Sequence, residues 1–124
     1  MIVRESISFE RYKDPKKALF GYPMREEIEE KIKELMLYTG QPGFDSHMSI
    51  YSEDGEILET SGHGEDFKYY ANMYLSKFGL KKYLEPGAAT GISSRYNKVA
   101  NFKIKPEYKE AFKGIDSAGI MRNI

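Results

Sequence analysis

The sequence lacks cysteine, contains only two histidines, and has no hydrophobic run of membrane-spanning length. The absence of cysteine excludes disulfide bonds, thiolate metal sites and a cysteine nucleophile. No stretch approaches the roughly 18 apolar residues of a membrane helix. Charged residues interrupt the opening segment 1–14, where a signal peptide needs an unbroken apolar stretch. We therefore expect a protein that is not secreted, has no membrane partner, and stays inside a cell or inside a particle assembled there.

The length and composition fit one globular domain. The chain has 124 residues, of which 40% are hydrophobic, so it can build a single core but hardly two. We assign residues 1–124 to one domain. The 19 basic and 19 acidic residues cancel, so the total charge indicates no class of partner.

Hydrophobic periodicity predicts two main helices, over residues 24–38 and 65–78. In the first, the apolar residues Ile28, Ile32 and Leu35 recur at helical spacing, and Gly40 follows the end. In the second, the apolar and aromatic stripe consists of Phe67, Tyr70, Ala71, Tyr74, Leu75 and Phe78. We expect this second helix to be the central helix of the core.

Alternating apolar and polar residues predict strands, which are expected near residues 3–9, 47–52, 56–60 and 98–104. A short helix is expected to begin at Pro106 and to end before Gly114. The apolar residues of the tail beyond Gly114 recur with no clear period, so no element is assigned to it. The predicted fold class is therefore α+β, a small antiparallel sheet of about four strands packed with two main helices and a short C-terminal helix.

The segment 47–60 is predicted to be a hairpin that turns at Asp54-Gly55. A two-residue loop would place Ile50 opposite Glu59. A three-residue loop, with Gly55 in the left-handed conformation of a bulge, would place Ile50 opposite Leu58. The second loop is favoured because it pairs apolar with apolar residues.

Charge is segregated along the chain. Residues 45–67 contain seven acidic residues and no Lys or Arg, whereas residues 68–105 contain eight basic residues and one acidic residue. Because the basic segment is also rich in aromatic residues, one interpretation is a nucleic-acid-binding surface. Its candidate contacts are Lys81, Lys82, Arg95, Tyr96, Lys98, Lys103 and Lys105. The alternative is that the rings lie in the core and the acidic hairpin neutralises an adjacent basic strand.

A closed hairpin would also bring Asp45 and His47 close to His63 and Glu65. Two histidines and a carboxylate can bind a divalent metal, so a small metal-dependent hydrolase is a further alternative. However, the spacing matches no helical metal motif, and the acidic residues also suit the start of a helix. We assign no catalytic residue and no cofactor.

The segment Pro86–Arg95, PGAATGISSR, is predicted to be a loop. Its glycines, hydroxyl groups and arginine are able to surround an anion, although the Gly-Lys-Ser/Thr ending of a P-loop is absent. The alternative is a plain connection between two elements.

The first residues of the chain resemble an N-terminal segment found in other proteins. The segment ESISFER at residues 5–11, followed by DPKK at residues 14–17, resembles an N-terminal segment of uncharacterised tailed-phage proteins. The resemblance covers residues 1–35 and implies an origin rather than an activity. It implies a location in the host cytoplasm or within a virion.

These observations together favour a non-enzymatic, phage-encoded accessory or structural module. Such a module would act through protein–protein contacts, with a protein partner or as a homo-oligomer. The nucleic-acid and metal-enzyme alternatives remain open at this point.

Overall fold

The structure is a computed structural model that describes residues 22–42, 48–62, 66–92 and 98–122. Within these ranges the helices are α1 (Tyr22–Thr39), α2 (Phe67–Lys77), α3 (Lys109–Phe112) and α4 (Ser117–Met121). The strands are β1 (Ser49–Ser52), β2 (Ile57–Gly62), β3 (Leu84–Ile92), β4 (Lys98–Ile104) and β5 (Ile115–Asp116). Two short 3-10 turns, Lys81–Tyr83 and Pro106–Tyr108, precede β3 and α3.

The five strands form one sheet in the order β3-β4-β2-β1-β5, and every neighbouring pair is antiparallel. The predicted α+β class with an antiparallel sheet is confirmed. The two main helices and the strand at 98–104 lie where periodicity placed them, within two residues at each end. The predicted strand near 3–9 lies outside the described residues.

One buried hydrophobic cluster joins the helices to one face of the sheet. Burial alternates along the strands, so that Ile50, Leu58 and Phe102 point into this cluster while Tyr51 and Ile57 point away from it. In α1, Ile28 and Ile32 are fully buried in the same cluster. The sheet therefore has a helix-covered inner face, and we call the opposite face the outer face.

The hairpin register differs from both predicted alternatives. Ile50 pairs with Thr60 and Tyr51 with Glu59. Gly55 does adopt the left-handed conformation, with φ +78°. The loop is longer than predicted because its own side chains close it: the Ser52 Oγ accepts a hydrogen bond from the Gly55 N–H at 3.1 Å, and Asp54 Oδ1 accepts one from the Glu56 N–H at 2.9 Å.

The predicted loop from Pro86 onward is wrong for residues 86–92, which belong to β3. Among the described strands, β3 is an edge strand whose only neighbour is β4. Proline is tolerated there because one side of the strand needs no backbone N–H donor. The β3–β4 register shifts between Pro86 and Thr90. Gly87 lies against the backbone of Asn101, where a Cβ atom would approach the carbonyl oxygen to 2.4 Å.

Residues 115–122, the described part of the tail after Gly114, contain β5 and α4 although the sequence there has no clear hydrophobic period. Ile115 is buried in β5, which pairs with β1. Asp116 caps α4 by accepting a hydrogen bond from the Ala118 N–H at 3.0 Å. The buried Ser117 Oγ accepts a hydrogen bond from the Ile50 N–H at 2.9 Å. Local capping and long-range hydrogen bonds therefore specify the tail.

Candidate contact surface

The residues of the predicted metal site, Asp45, His47, His63 and Glu65, lie outside the described residues. Elsewhere in the described ranges, no group of three potential His, Asp or Glu ligands is close enough to hold a metal ion. None of the helices in those ranges is both long and apolar enough to cross a membrane.

The nucleic-acid candidates are only partly described. Arg95 and Tyr96 lie outside the described ranges, and Lys98 begins β4 without a described side chain. Lys105 follows β4 and is half-buried. The remaining three candidates are the lysines at positions 81, 82 and 103.

The structure does not place these three lysines on one face of the sheet. Lys81 Nζ lies 4.8 Å from the ring centre of Phe102, on the inner side, and donates a hydrogen bond to Asn72 Oδ1 at 3.0 Å. Lys103 follows Phe102 in β4 and is exposed on the outer face, where it pairs in register with Glu85. Lys81 and Lys103 therefore do not line the same basic groove.

Lys82 is bound by α1 rather than by the acidic hairpin. Its Nζ atom lies 3.4 Å from Glu27 Oε1 and 5.0 Å from the ring centre of Tyr83. Hydrogen bonding to Tyr83 and the nearby Glu27 carboxylate raise the pKa of Lys82, and burial raises the pKa of Tyr83. The Lys82–Glu27 contact joins the 3-10 turn to α1.

The acidic hairpin does lie beside the basic strand, because β2 pairs with β4 along six residues. Within the described ranges, the hairpin forms an ion pair with α3 and not with β4: Glu56 Oε1 lies 2.9 Å from Lys109 Nζ. This contact raises the pKa of Lys109 above its ordinary value of 10.5. The stabilisation that it provides is complete below that value and is lost as the pH rises through the folded-state pKa.

A cleft of about 320 Å³ lies between α1, β5 and α4. Three of its four charged side chains, all except Arg122, make structural contacts. Arg25 pairs with Glu29 at 3.5 Å and donates a hydrogen bond to the Lys113 carbonyl oxygen. Asp116 caps α4. The cleft therefore offers a ligand few uncommitted polar groups.

The helical layer exposes apolar side chains that the core does not use. Tyr69 is 65% exposed, Leu37 50% and Met73 39%. Tyr38 and Tyr70, which follow Leu37 and Tyr69 in the sequence, are half-buried. We call these five residues the aromatic patch.

A chain of ring contacts, which includes the three tyrosines of this patch, joins the two helices. The ring centres are 5.3 Å apart between Tyr69 and Tyr70, 6.0 Å between Tyr70 and Tyr74, and 5.7 Å between Tyr74 and Tyr38. Such edge and offset contacts are favourable and fix ring orientation. The rings of the patch are thereby held in place by the core before any partner binds.

One charge of each sign flanks the patch. Glu34 is exposed on α1, one turn before Leu37 and Tyr38. Lys77 is exposed on α2, one turn after Met73, and its Nζ atom lies 5.1 Å from the ring centre of Tyr38. In the described part of the chain, neither Glu34 nor Lys77 has an oppositely charged side chain within 4.0 Å.

Sequence reasoning missed this patch because it followed the buried stripe of α2. Tyr69 and Met73 are four residues apart and do not belong to that stripe. Both therefore lie on the solvent-exposed side of α2. An apolar pair at this spacing on a polar face is the signal that could have found it.

Comparisons of the chain with protein-family models, curated proteins and solved structures found no match.

Proposed function

We propose that this chain is a non-enzymatic module that acts through protein–protein contacts, with the aromatic patch as its contact surface. The observation that carries the proposal is the exposure of Tyr69 and Met73 beside ring contacts that hold the surface rigid. Tyrosine and methionine are enriched where proteins bind proteins, and a pre-ordered ring loses little entropy on binding.

The charges near the patch favour a protein over a nucleic acid. Five glutamates against three basic residues in α1 and two lysines in α2 leave the two helices with no net positive charge to attract a phosphate backbone. The resemblance of residues 1–35 to tailed-phage proteins is consistent with a phage-encoded accessory or structural role. The partner would then be a component of the same particle or of its assembly.

Site-specific photo-crosslinking tests the proposal. A benzophenone amino acid in place of Tyr69 is expected to form covalent protein adducts in cells that naturally produce the chain, because this ring projects into the contact. The matched control carries the same group in place of Tyr51, which is 43% exposed on the outer face. Adducts from position 51 alone, or nucleic-acid adducts from position 69, would contradict the proposal.

A further inference from the structure

We infer that the aromatic patch binds a second copy of this chain, giving a dimer with two-fold symmetry. This inference rests on the proposed function and names its partner. It follows from the distribution of charge and apolar surface over the helical layer, which is complementary to itself.

The two main helices carry opposite charge. Five glutamates against three basic residues give α1 a net charge of −2. Two lysines and no acidic residue give α2 a net charge of +2. The exposed apolar residues Leu37, Tyr69 and Met73 are divided between the same two helices.

A two-fold axis that lies in the interface, parallel to the helical layer and between the two helices, would place α1 of one copy on α2 of the other, twice. In a symmetric interface of this kind, each contact made by one copy is repeated by its partner. Glu34 at the α1 side of the patch then faces Lys77 at the α2 side of the other copy, and the apolar residues meet between them. A partner of uniform charge would attract either Glu34 or Lys77 but would repel the other.

Sedimentation velocity over a concentration series tests the dimer. The wild-type chain is expected to associate, and Lys77→Glu is expected to weaken association about 10-fold or more, because it places two carboxylates together at both ends of the interface. Glu34→Lys should weaken it similarly. The double variant Glu34→Lys/Lys77→Glu restores opposite charges and should bring the dissociation constant back to within about 3-fold of wild type.

Lys103→Glu is the matched control, since this exposed lysine lies on the outer face, and it should leave association unchanged. A chain that is monomeric up to about 1 mM, or a double variant weaker than either single variant, would overturn the dimer. Protein adducts from position 69 with a different protein, in a monomeric chain, would overturn the dimer and leave the proposed function standing. The absence of adducts from position 69 would remove both.

Discussion

Replacement of Phe112 by alanine is expected to lower the free energy of unfolding by about 3–5 kcal/mol, the usual cost of removing a buried phenylalanine. Phe112 is fully buried, and its ring lies 5.9 Å from that of Tyr83, which also contacts Tyr108 at 4.8 Å. Helix α3 has four residues, too few to be stable alone. Burial of Phe112 therefore holds α3 against the turn that leads into β3.

Urea denaturation followed by circular dichroism measures this change, with Ile57→Ala as the matched control. Ile57 is 48% exposed on the outer face, so its truncation should cost under about 1 kcal/mol. Equal losses for the two variants would show that Phe112 does not support the core in the way described.

Replacement of Gly55 by alanine is expected to cost about 3 kcal/mol or more, from two independent causes. The residue has φ +78°, which a side chain disfavours. A Cβ atom would also lie 2.1 Å from the carbonyl oxygen of Lys109, which is backbone and cannot rotate away. The hairpin loop would have to separate from α3, weakening the Glu56 contact with Lys109.

Gly114→Ala separates the two causes. Gly114 has φ +74°, almost the same conformation, but nothing lies within 4 Å of its added Cβ atom. It should therefore show only the conformational cost, about 1 kcal/mol. Equal destabilisation of the two variants in thermal unfolding would contradict the close approach of the hairpin loop to α3.

Local sequence patterns predicted most of the fold where one face of an element is buried. The apolar residues of α1 recur at Ile28, Ile32 and Leu35 because these positions share one side of a helix, and all three are fully buried. In β4, Ala100, Phe102 and Ile104 alternate for the equivalent reason. Periodicity is informative in such elements because burial itself creates it.

The errors arose where distant contacts decide the structure. The hairpin register depends on side-chain hydrogen bonds within the loop and on pairing with Ile115 in β5, which no local pattern contains. The strand β3 contains Pro86 and Gly87, which locally indicate a loop, yet pairing with β4 overrides that preference. The tail is ordered by Ser117, whose partner Ile50 is far away in sequence.

The candidate surface was less predictable than the fold. Composition drew attention to the basic segment, but the described lysines at positions 81 and 103 lie on opposite faces of the sheet. Glu34 and Lys77 flank one patch only because Tyr38 of α1 contacts the rings of Tyr74 in α2 and Phe78 at its end. That juxtaposition is tertiary, so no single-helix pattern reveals it.

The methyl resonance of Met73 offers the most direct test that the aromatic patch binds a second copy of the chain. In a chain labelled with ¹³C-methyl methionine, a dimer through the patch predicts that the Met73 signal shifts or broadens as the concentration rises. The signals of Met36 and Met48, which are 8% and 5% exposed, should stay unchanged. An unchanged Met73 signal across that concentration range, or equal changes in all three signals, would contradict a dimer through this surface.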